Sequence, residues 1–313
     1  MTEHHVVFGA SGGLGNAVIR ELVSKKKQVR GVCRSGKAEV PEGVDVVEGD
    51  LADVEQACKA AEGATVIYNC ANPNYTKWNR LFPPLIKGSI DAAAKLGAKL
   101  VYGDNLYMYG EFSGQVKEDH PSNAKTKKGK IRAYAAEEVL AAHRFGKVQA
   151  VIGRASDFYG PNTQWGELFF RPALIGKTVS AVGNLDAPHT YMYVKDFAKG
   201  LVMLAEADDT YGEVWHVPSA RPITTREFLQ KIYQEANTNP KIRVASRGMV
   251  NAMSLINPMM REIKEMLYQW EKPFVVDDSK FEKRFSDIST SHTRAIKETI
   301  DWYMKHPQKK RLG

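Results

Sequence analysis

The strongest chemical signal in the sequence is a glycine-rich stretch near its beginning, VVFGASGGLGNAV. Gly9, Gly12 and Gly15 follow a short apolar run and open a segment with helical spacing. In that context the first glycine allows a tight turn, the second a close approach of the backbone to a dinucleotide diphosphate, and the third close packing of the helix. We therefore predict a dinucleotide-binding turn; the alternative is a tight strand-to-helix turn without a ligand. The predicted cofactor contacts on this turn are Gly9, Ser11, Gly12, Gly13, Leu14 and Gly15.

The end of the second predicted strand, QVRGVC, bears on which dinucleotide is bound. Arg34 lies about 20 residues past the glycines, where an acidic residue would hold the ribose hydroxyls of NAD. A guanidinium group can instead pair with the 2′-phosphate of NADP, and Lys37 is a candidate helper. The alternative is an ordinary exposed arginine. We expect the cofactor to be NADP rather than NAD.

The elements that must position these residues alternate between strand and helix. Apolar runs at HHVVFGA, QVRGVC, VDVVEG, ATVIYN, AKLVYG and VQAVIG predict six strands separated by helical segments. This alternation predicts an α/β fold with a Rossmann-type doubly wound parallel sheet. We expect a dinucleotide-binding domain over residues 1–155, with a return segment near 190–217. A smaller, partly interleaved C-terminal substrate lobe would span 156–189 and 218–313.

Composition and charge narrow the class of protein. A chain of 313 residues with 43% hydrophobic content can bury a full core, and no apolar run approaches the roughly 18 residues of a membrane span. The net charge of +8 comes from dispersed basic residues, so we expect no nucleic-acid partner and no membrane partner. Cys33, Cys58 and Cys70 are odd in number and lack zinc-type spacing. We expect reduced thiols, a cytoplasmic location and no metal site.

The order of several further motifs resembles the extended and atypical short-chain dehydrogenase/reductase family, which contains NAD-dependent sugar epimerases and dehydratases. EGDLAD resembles the family's loop after strand three, NCANP its loop after strand four, LVYGDNLYMYG its fifth strand and active-site turn, and GRASDFYGPN its sixth strand. The resemblance implies a small-molecule substrate with a carbonyl group or of the sugar-nucleotide type. It also implies further cofactor contacts, at Asp50, Leu51, Cys70, Ala71 and Asn72.

The resemblance breaks down where the family has its proton-transfer pair. The family carries a Tyr-x-x-x-Lys pair on the helix after strand five, which here is KKGKIRAYAAEEVLAAH. Tyr134 is followed four residues later by Glu138, a charge of the wrong sign. A second alignment, on AYAAEEVL, puts Gly129 in the tyrosine position and Ala133 in the lysine position. Neither alignment supplies the pair, and in the second Tyr134 lies about 100° around the helix from the lysine position, pointing away from the cofactor.

Other polar groups are candidates for the acid–base role. Asn105 falls on the family's Ser or Thr position and can hydrogen-bond a carbonyl through its amide. Tyr107, two residues later, is the preferred proton donor, and Asp157 after the sixth strand is the alternative acid–base group. Candidates for the missing positive charge are Lys128, Lys130 and Arg132.

Two aromatic segments supply predicted substrate contacts. Tyr75 and Trp78 follow the fourth strand and can cap the pocket, although anchoring of this loop on the core is an equal alternative. His189 and Tyr191 precede a strand whose counterpart in the family lines the substrate pocket. For each of them the alternative is a packed aromatic or a satisfied polar group. The substrate stays open between a sugar nucleotide, another ketone or aldehyde, and an anionic metabolite.

Three functions from different classes are compatible with the sequence. An NAD(P)-dependent oxidoreductase or epimerase/dehydratase-like enzyme with a non-standard acid–base group is favoured by the polar residues around the pocket. The alternative is a non-catalytic NADP-binding redox sensor, while a scaffold that kept only the fold would not need the glycines or Arg34. The resemblance also implies a homodimer, formed through the helices after strands four and five, LFPPLIKGSIDAAAKLG and IRAYAAEEVLAAH.

Overall fold

The structure, a computed structural model, describes residues 3–307. Its strands are β1 (His4–Phe8), β2 (Gln28–Cys33), β3 (Asp45–Glu48), β4 (Val66–Asn69), β5 (Lys99–Asp104), β6 (Gln115–Val116), β7 (Ala150–Arg154), β8 (Phe158–Tyr159), β9 (Val179–Val182), β10 (Pro188–His189), β11 (Met192–Tyr193), β12 (Val214–His216), β13 (Ile223–Thr224), β14 (Ile242–Ala245) and β15 (Val275–Val276). Its helices are α1 (Gly13–Ser24), α2 (Val54–Ala60), α3 (Trp78–Leu96), α4 (Lys127–Arg144), α5 (Arg171–Leu174), α6 (Val194–Glu206), α7 (Thr225–Glu235), α8 (Arg247–Ile256), α9 (Pro258–Met266), α10 (Tyr268–Glu271), α11 (Ser279–Phe285) and α12 (His292–Lys305).

A seven-stranded sheet in the order β12-β7-β5-β4-β1-β2-β3 forms the centre of the molecule. Every neighbouring pair of its strands is parallel. The chain runs outward from β1 to β3 and then crosses back to β4, so the strand order reverses between β1 and β4. Open parallel sheets bind ligands outside the carboxyl ends of their strands at such a reversal. The predicted fold class is confirmed, and the six predicted strands are β1 to β5 and β7.

Helices cover both faces of this sheet. Leu100 of β5 packs into the cluster under α2, α3 and α4, and the next residue, Val101, packs into the opposite cluster under α1 and α6. Successive strand residues point to opposite faces, so a continuous apolar run is what a sheet buried on both sides requires. Within the part of the chain that the structure describes, none of the helices is both long and apolar enough to span a membrane.

The C-terminal lobe has an aromatic core of its own. Phe170 and Tyr159 pack there against Phe228 of α7 and Tyr303 of α12. Between the two parts of this lobe the chain returns to the sheet, since α6 packs on α1 and β12 pairs with β7. Phe281 of α11 also packs with the α1 and α6 cluster, so a short piece of the region 218–313 lies against the dinucleotide-binding side.

Helix α3 begins earlier than the sequence indicates. The segment LFPPLIKGSIDAAAKLG would begin the helix at Leu81, with Pro83 and Pro84 in the first turn, where proline is tolerated. The helix instead starts at Trp78, and both prolines lie inside it. A proline within a helix removes the hydrogen bond to the carbonyl four residues earlier. The carbonyls concerned belong to Asn79 and Arg80, which are both exposed, so water can satisfy them. The early start brings Trp78 into the wall of the site described next.

Candidate active site

A cavity of about 390 Å³ opens at the carboxyl ends of the parallel strands. Gly15, His189 and Tyr191 are not in its wall. Sequence motifs that lie far apart along the chain therefore meet at one edge of the sheet. The predicted residues that line this cavity are Gly9, Ser11, Gly12, Gly13, Leu14, Arg34, Asp50, Leu51, Cys70, Ala71, Asn72, Tyr75, Trp78, Asn105, Tyr107 and Asp157.

The glycine turn has the geometry that a dinucleotide diphosphate needs. Gly9 has a φ of 87°, and a Cβ there would lie 2.8 Å from backbone atoms of Cys70 and Ala71. A Cβ on Gly15 would lie 2.2 Å from the carbonyl oxygen of Gly9, so α1 packs on the turn only because this residue is glycine. Gly12 caps α1 without a side chain, and the first turn of α1 has no acidic residue. Backbone N–H groups at the start of α1 therefore stay available to an anion, and these residues fit the cofactor.

Arg34 lies at the end of the cavity formed by the loops after β2 and β3. Its side chain is exposed, and it has no carboxylate partner among residues 3–307, whereas Arg30 of the preceding strand β2 pairs with Asp45 at 3.3 Å. Lys37 is also exposed nearby in sequence. Asp50 begins the loop after β3, where its Oδ1 accepts a hydrogen bond from the backbone N–H of Ala52 at 2.9 Å. A cationic group without a partner is thus left at this end of the cavity.

Asn105 and Tyr107 lie on the short turn that follows β5. Oδ1 of Asn105 accepts the backbone N–H of Tyr107 at 3.1 Å, which leaves the amide nitrogen as the part that can donate to a ligand. The Tyr107 ring stacks on Trp78 with centroids 6.1 Å apart. Burial, together with the neighbouring Tyr75 and Asp157, raises the pKa of Tyr107 well above its ordinary value. The hydroxyl therefore keeps its proton at neutral pH and can donate a hydrogen bond to a ligand oxygen.

Asp157 is held in the wall from the C-terminal lobe. Its Oδ2 accepts a hydrogen bond from Nε1 of Trp270 at 3.0 Å and lies 3.3 Å from Nε2 of His189, without hydrogen-bond geometry. The two predicted substrate contacts beyond it need correction. His189 and Tyr191 are each 2% exposed, because β10 pairs with β13 inside the lobe. His189 contacts Asp157 from the lobe interior and not from the cavity. The hydroxyl of Tyr191 forms a hydrogen bond with that of Thr225 at 2.8 Å.

The sequence left open whether Tyr75 and Trp78 border the pocket or anchor their loop on the core, and the structure shows both. Trp78 is 1% exposed and packs in the core, and its Nε1 donates to the carbonyl of Pro73 at 3.1 Å. One edge of this packed ring nevertheless belongs to the cavity wall, beside the half-buried Tyr75. The two aromatic residues therefore form part of the cavity wall.

Among residues 3–307, no group of three or more His, Cys, Asp or Glu side chains is placed to hold a metal ion.

Helix α4 turns a different residue toward the cavity from those chosen by sequence alignment. At Gly129, aligned with the family's tyrosine, a Cβ would lie 2.3 Å from the Cβ of Ala124 and 2.5 Å from the carbonyl oxygen of Tyr107. Ala133, aligned with the lysine, packs against the small cluster around the β5 turn and does not line the cavity. Arg132, one residue earlier, does line it. The two aligned positions, Gly129 and Ala133, are therefore packed against other parts of the chain, and the side chain of Arg132 lines the cavity instead.

Of the three basic residues that the sequence offers for the missing positive charge, Arg132 is the one that lines the cavity. Its Nη1 donates to the hydroxyl of Tyr102 at 2.9 Å and to Oδ1 of Asp104 at 3.1 Å, and its Nη2 donates to Oδ1 of Asn72 at 3.3 Å. The guanidinium lies 4.5 Å from the centroid of the Trp78 ring. The available signal was the four-residue spacing of two basic residues, Lys128 and Arg132, which puts both on one face of α4.

The remaining candidates on α4 have structural positions. Tyr134 is 44% exposed and lies outside the cavity wall, which confirms that it points away from the site. Lys130 is exposed as well. Lys128 is 2% exposed, and its Nζ bonds to the carbonyl of Tyr75 at 2.5 Å and to Oε2 of Glu262 at 2.6 Å. Lys128 thus ties together α4, the loop after β4, and α9.

Comparison with known proteins identifies the family. The chain belongs to the NAD dependent epimerase/dehydratase family, whose model matches residues 5–217. This match confirms the predicted family, whose description names NAD and thus agrees with a nicotinamide dinucleotide as the class of cofactor.

Individual relatives are distant. The chain is 24% identical over 251 residues to a 2-alkyl-3-oxoalkanoate reductase of Shewanella oneidensis, a match that covers 73% of this chain but only 65% of the relative. It resembles the UDP-glucose 4-epimerase of Thermus thermophilus in complex with NAD, with a TM-score of 0.80, 17% identity, and coverage of 96% and 99% of the two chains. An epimerase of Methanothermobacter thermautotrophicus gives a TM-score of 0.83 at 15% identity, covering 97% and 93%. At these identities the structural matches establish the fold.

Replacement of Lys128 tests the connection between α4 and α9. We expect Lys128→Met to lower the free energy of unfolding by about 2–3 kcal/mol, because it leaves the partly buried Glu262 carboxylate and the Tyr75 carbonyl without their donor. Lys127→Met is the matched control; that side chain is exposed, and we expect a change below about 0.5 kcal/mol. Urea unfolding measures both. Equal effects of the two substitutions would show that Lys128 has no special structural role.

Proposed function

We propose that the protein is an NADP-linked oxidoreductase that reduces a carbonyl group of a small-molecule substrate. The observation that carries the proposal is a single cavity whose wall combines the glycine turn, Arg34 and the hydrogen-bond donors Asn105 and Tyr107. The name of the relative from Shewanella oneidensis, a reductase of an oxo compound, supports reduction over epimerisation. The proposal concerns the chemistry of the site, since fold alone does not fix function.

The cofactor would extend along the edge of the sheet from Arg34 to the β5 turn. The N-terminus of α1, at Gly12 and Gly13, would hold the diphosphate, and Arg34 would pair with the 2′-phosphate of the adenosine half. The loops carrying Asp50, Leu51, Cys70, Ala71 and Asn72 would border the two ribose rings and the adenine. When bound, NADPH supplies the hydride.

Tyr107 and Asn105 would act on the substrate oxygen. The amide nitrogen of Asn105 donates a hydrogen bond that orients the carbonyl, and the Tyr107 hydroxyl donates the proton that the oxygen gains on reduction. The raised pKa of Tyr107 keeps its hydroxyl protonated at neutral pH, which is the form that can donate this proton. Asp157 is the alternative acid–base group, and its contacts with Trp270 and His189 would keep it oriented.

We also propose a homodimer and a cytoplasmic location. Cys33, Cys58 and Cys70 are unpaired, which supports a reducing compartment.

Much of the apolar surface of α3 and α4 packs inside the same chain, so a dimer through these helices would use their outer residues, including the exposed Tyr134. Reduced Cys70 would take no part in the reaction, because burial raises the pKa of its thiol.

Cofactor preference is tested by titrating NADPH and NADH. We expect tighter binding of NADPH, because a guanidinium–phosphate hydrogen bond contributes about 1.5–3 kcal/mol. Arg34→Ala should remove most of this difference, while Arg20→Ala, an exposed change on α1 outside the cavity, should preserve it. Equal affinities of the unmodified protein for the two cofactors would contradict the assignment.

The proton donor is tested with tyrosine substitutions on a carbonyl substrate found by screening NADPH oxidation. Tyr107→Phe should lower kcat by about 100-fold or more, the usual scale for loss of a general acid. Tyr134→Phe, the matched control on the exposed face of α4, should leave kcat nearly unchanged. Since the pKa of Tyr107 is raised, the unmodified enzyme should also keep its rate as the pH rises from neutral to mildly alkaline. The reverse order of the two variants would exclude Tyr107 as the donor.

The association state is tested by light scattering at micromolar protein concentration. We expect a mass twice that of the chain, because the family resemblance implies pairing through α3 and α4. Tyr134→Glu, which adds a charge to the outer face of α4, should shift the mass toward that of one chain, and the exposed change Lys305→Glu on α12 should not. A single-chain mass for the unmodified protein would refute the dimer.

A further inference from the structure

Two arginines and one aspartate form a buried cluster beneath the cavity. Asp104, the last residue of β5, has a fully buried carboxylate. Its Oδ1 lies 3.1 Å from Nη1 of Arg132, and its Oδ2 lies 3.2 Å from Nε of Arg154, the last residue of β7. Two guanidinium cations thus share a single carboxylate, and one positive charge of the cluster has no partner of opposite sign within it.

The partners of each arginine show where this charge is available. Nη1 of Arg154 donates to the hydroxyl of Tyr109 at 2.6 Å, and Arg154 does not line the cavity. Arg132 does line the cavity, is 6% exposed, and has a buried Nε without a hydrogen-bond partner in residues 3–307. Asp157 shares the cavity wall but lies more than 4 Å from the nitrogens of Arg132, and the carboxylate of Glu262 is paired with Lys128. The uncompensated charge is therefore presented to the cavity by Arg132.

This cation lies next to the groups proposed to bind the carbonyl. Asp104, which holds Arg132, is followed directly by Asn105, and Tyr107 lies two residues further along the same turn. Arg132 also bonds to Asn72 of the loop after β4 at 3.3 Å. The diphosphate-binding start of α1 belongs to a different loop, after β1, so the cofactor phosphates would be held elsewhere in the cavity.

We propose that Arg132 binds a carboxylate of the substrate, and that the substrates are oxo acids whose carboxylate and carbonyl are separated by one or a few carbons. This inference rests on the proposed function and specifies its substrate class. A buried cation that shares its carboxylate partner with a second arginine is stabilised by a further anion, and a planar guanidinium matches a carboxylate in geometry as well as in charge. In the reaction the carbonyl carbon gains a hydride from NADPH and its oxygen a proton from Tyr107. The products are a hydroxy acid and NADP⁺, the carboxylate is unchanged, and Tyr107 regains its proton from water.

The test compares a short 3-oxo acid with its methyl ester as substrates for NADPH oxidation. The two share the same oxo group and carbon chain, but the ester replaces the carboxylate that Arg132 would bind with a neutral methyl ester group. We expect kcat/KM to be about 10-fold or more higher for the acid, mainly through a lower KM, which corresponds to one charged hydrogen bond. In Arg132→Gln the acid should lose this advantage and match the ester. Arg144→Gln, an exposed arginine on the same helix, should keep the full preference.

Further measurements keep the outcome clear if Arg132→Gln fails to fold. Arg132→Lys retains the charge without the planar fork, and we expect an intermediate preference for the acid. In the unmodified enzyme, a saturated carboxylic acid of the same length should inhibit competitively against the oxo acid, whereas its primary amide should not. Equal inhibition by acid and amide would overturn the inference without any variant.

The failures of the two proposals are distinguishable. Equal kcat/KM for acid and ester, or a preference that survives in Arg132→Gln, would overturn the oxo-acid assignment and leave carbonyl reduction standing. Conversion of UDP-glucose to UDP-galactose without reduction of any oxo acid would overturn both. Tight NADPH binding with no turnover of acid, ester or other carbonyl compounds would overturn both as well and favour a non-catalytic sensor.

Discussion

The shared carboxylate of Asp104 is the interaction on which the site depends. A buried carboxylate needs partners of opposite charge, and here they come from the last residue of β7 and from the inward face of α4. The ion pairs therefore fix β5, β7 and α4 relative to one another at the point where the parallel strands end. The turn with Asn105 and Tyr107 begins at the next residue, so its position is set by this electrostatic arrangement as well as by apolar packing.

The fold and the glycine turn could be predicted because their signals are local. Alternating strands and helices imply a parallel sheet, and Gly9 and Gly15 stand where an added Cβ would clash with the backbone. The outward direction of Tyr134 on α4 could be predicted, but the side chain that α4 presents to the cavity could not, because its inward face carries Lys128 and Arg132 where apolar residues would normally mark the buried side. A periodicity argument assigns such cations to solvent, and only their distant partners reverse that conclusion.

The supports of Asp157 were unpredictable for another reason. Trp270 and His189 reach it from the C-terminal lobe, across more than a hundred positions of sequence in the case of Trp270. Contacts of this kind depend on how the short strands β10 and β13 pair, and such strands have little sequence signature. The same limitation misplaced His189 and Tyr191 at the cavity wall, although the first of them still acts on the site through the carboxylate it touches.

The packing around Gly129 bears on how this site can change over evolutionary time. A tyrosine introduced there would meet the carbonyl oxygen of Tyr107 and the side chain of Ala124. A larger side chain at that point of α4 would thus require the β5 turn to move, and that turn carries the proposed proton donor. Any change at Gly129 is therefore coupled through sterics to the position of the groups that would act on the substrate.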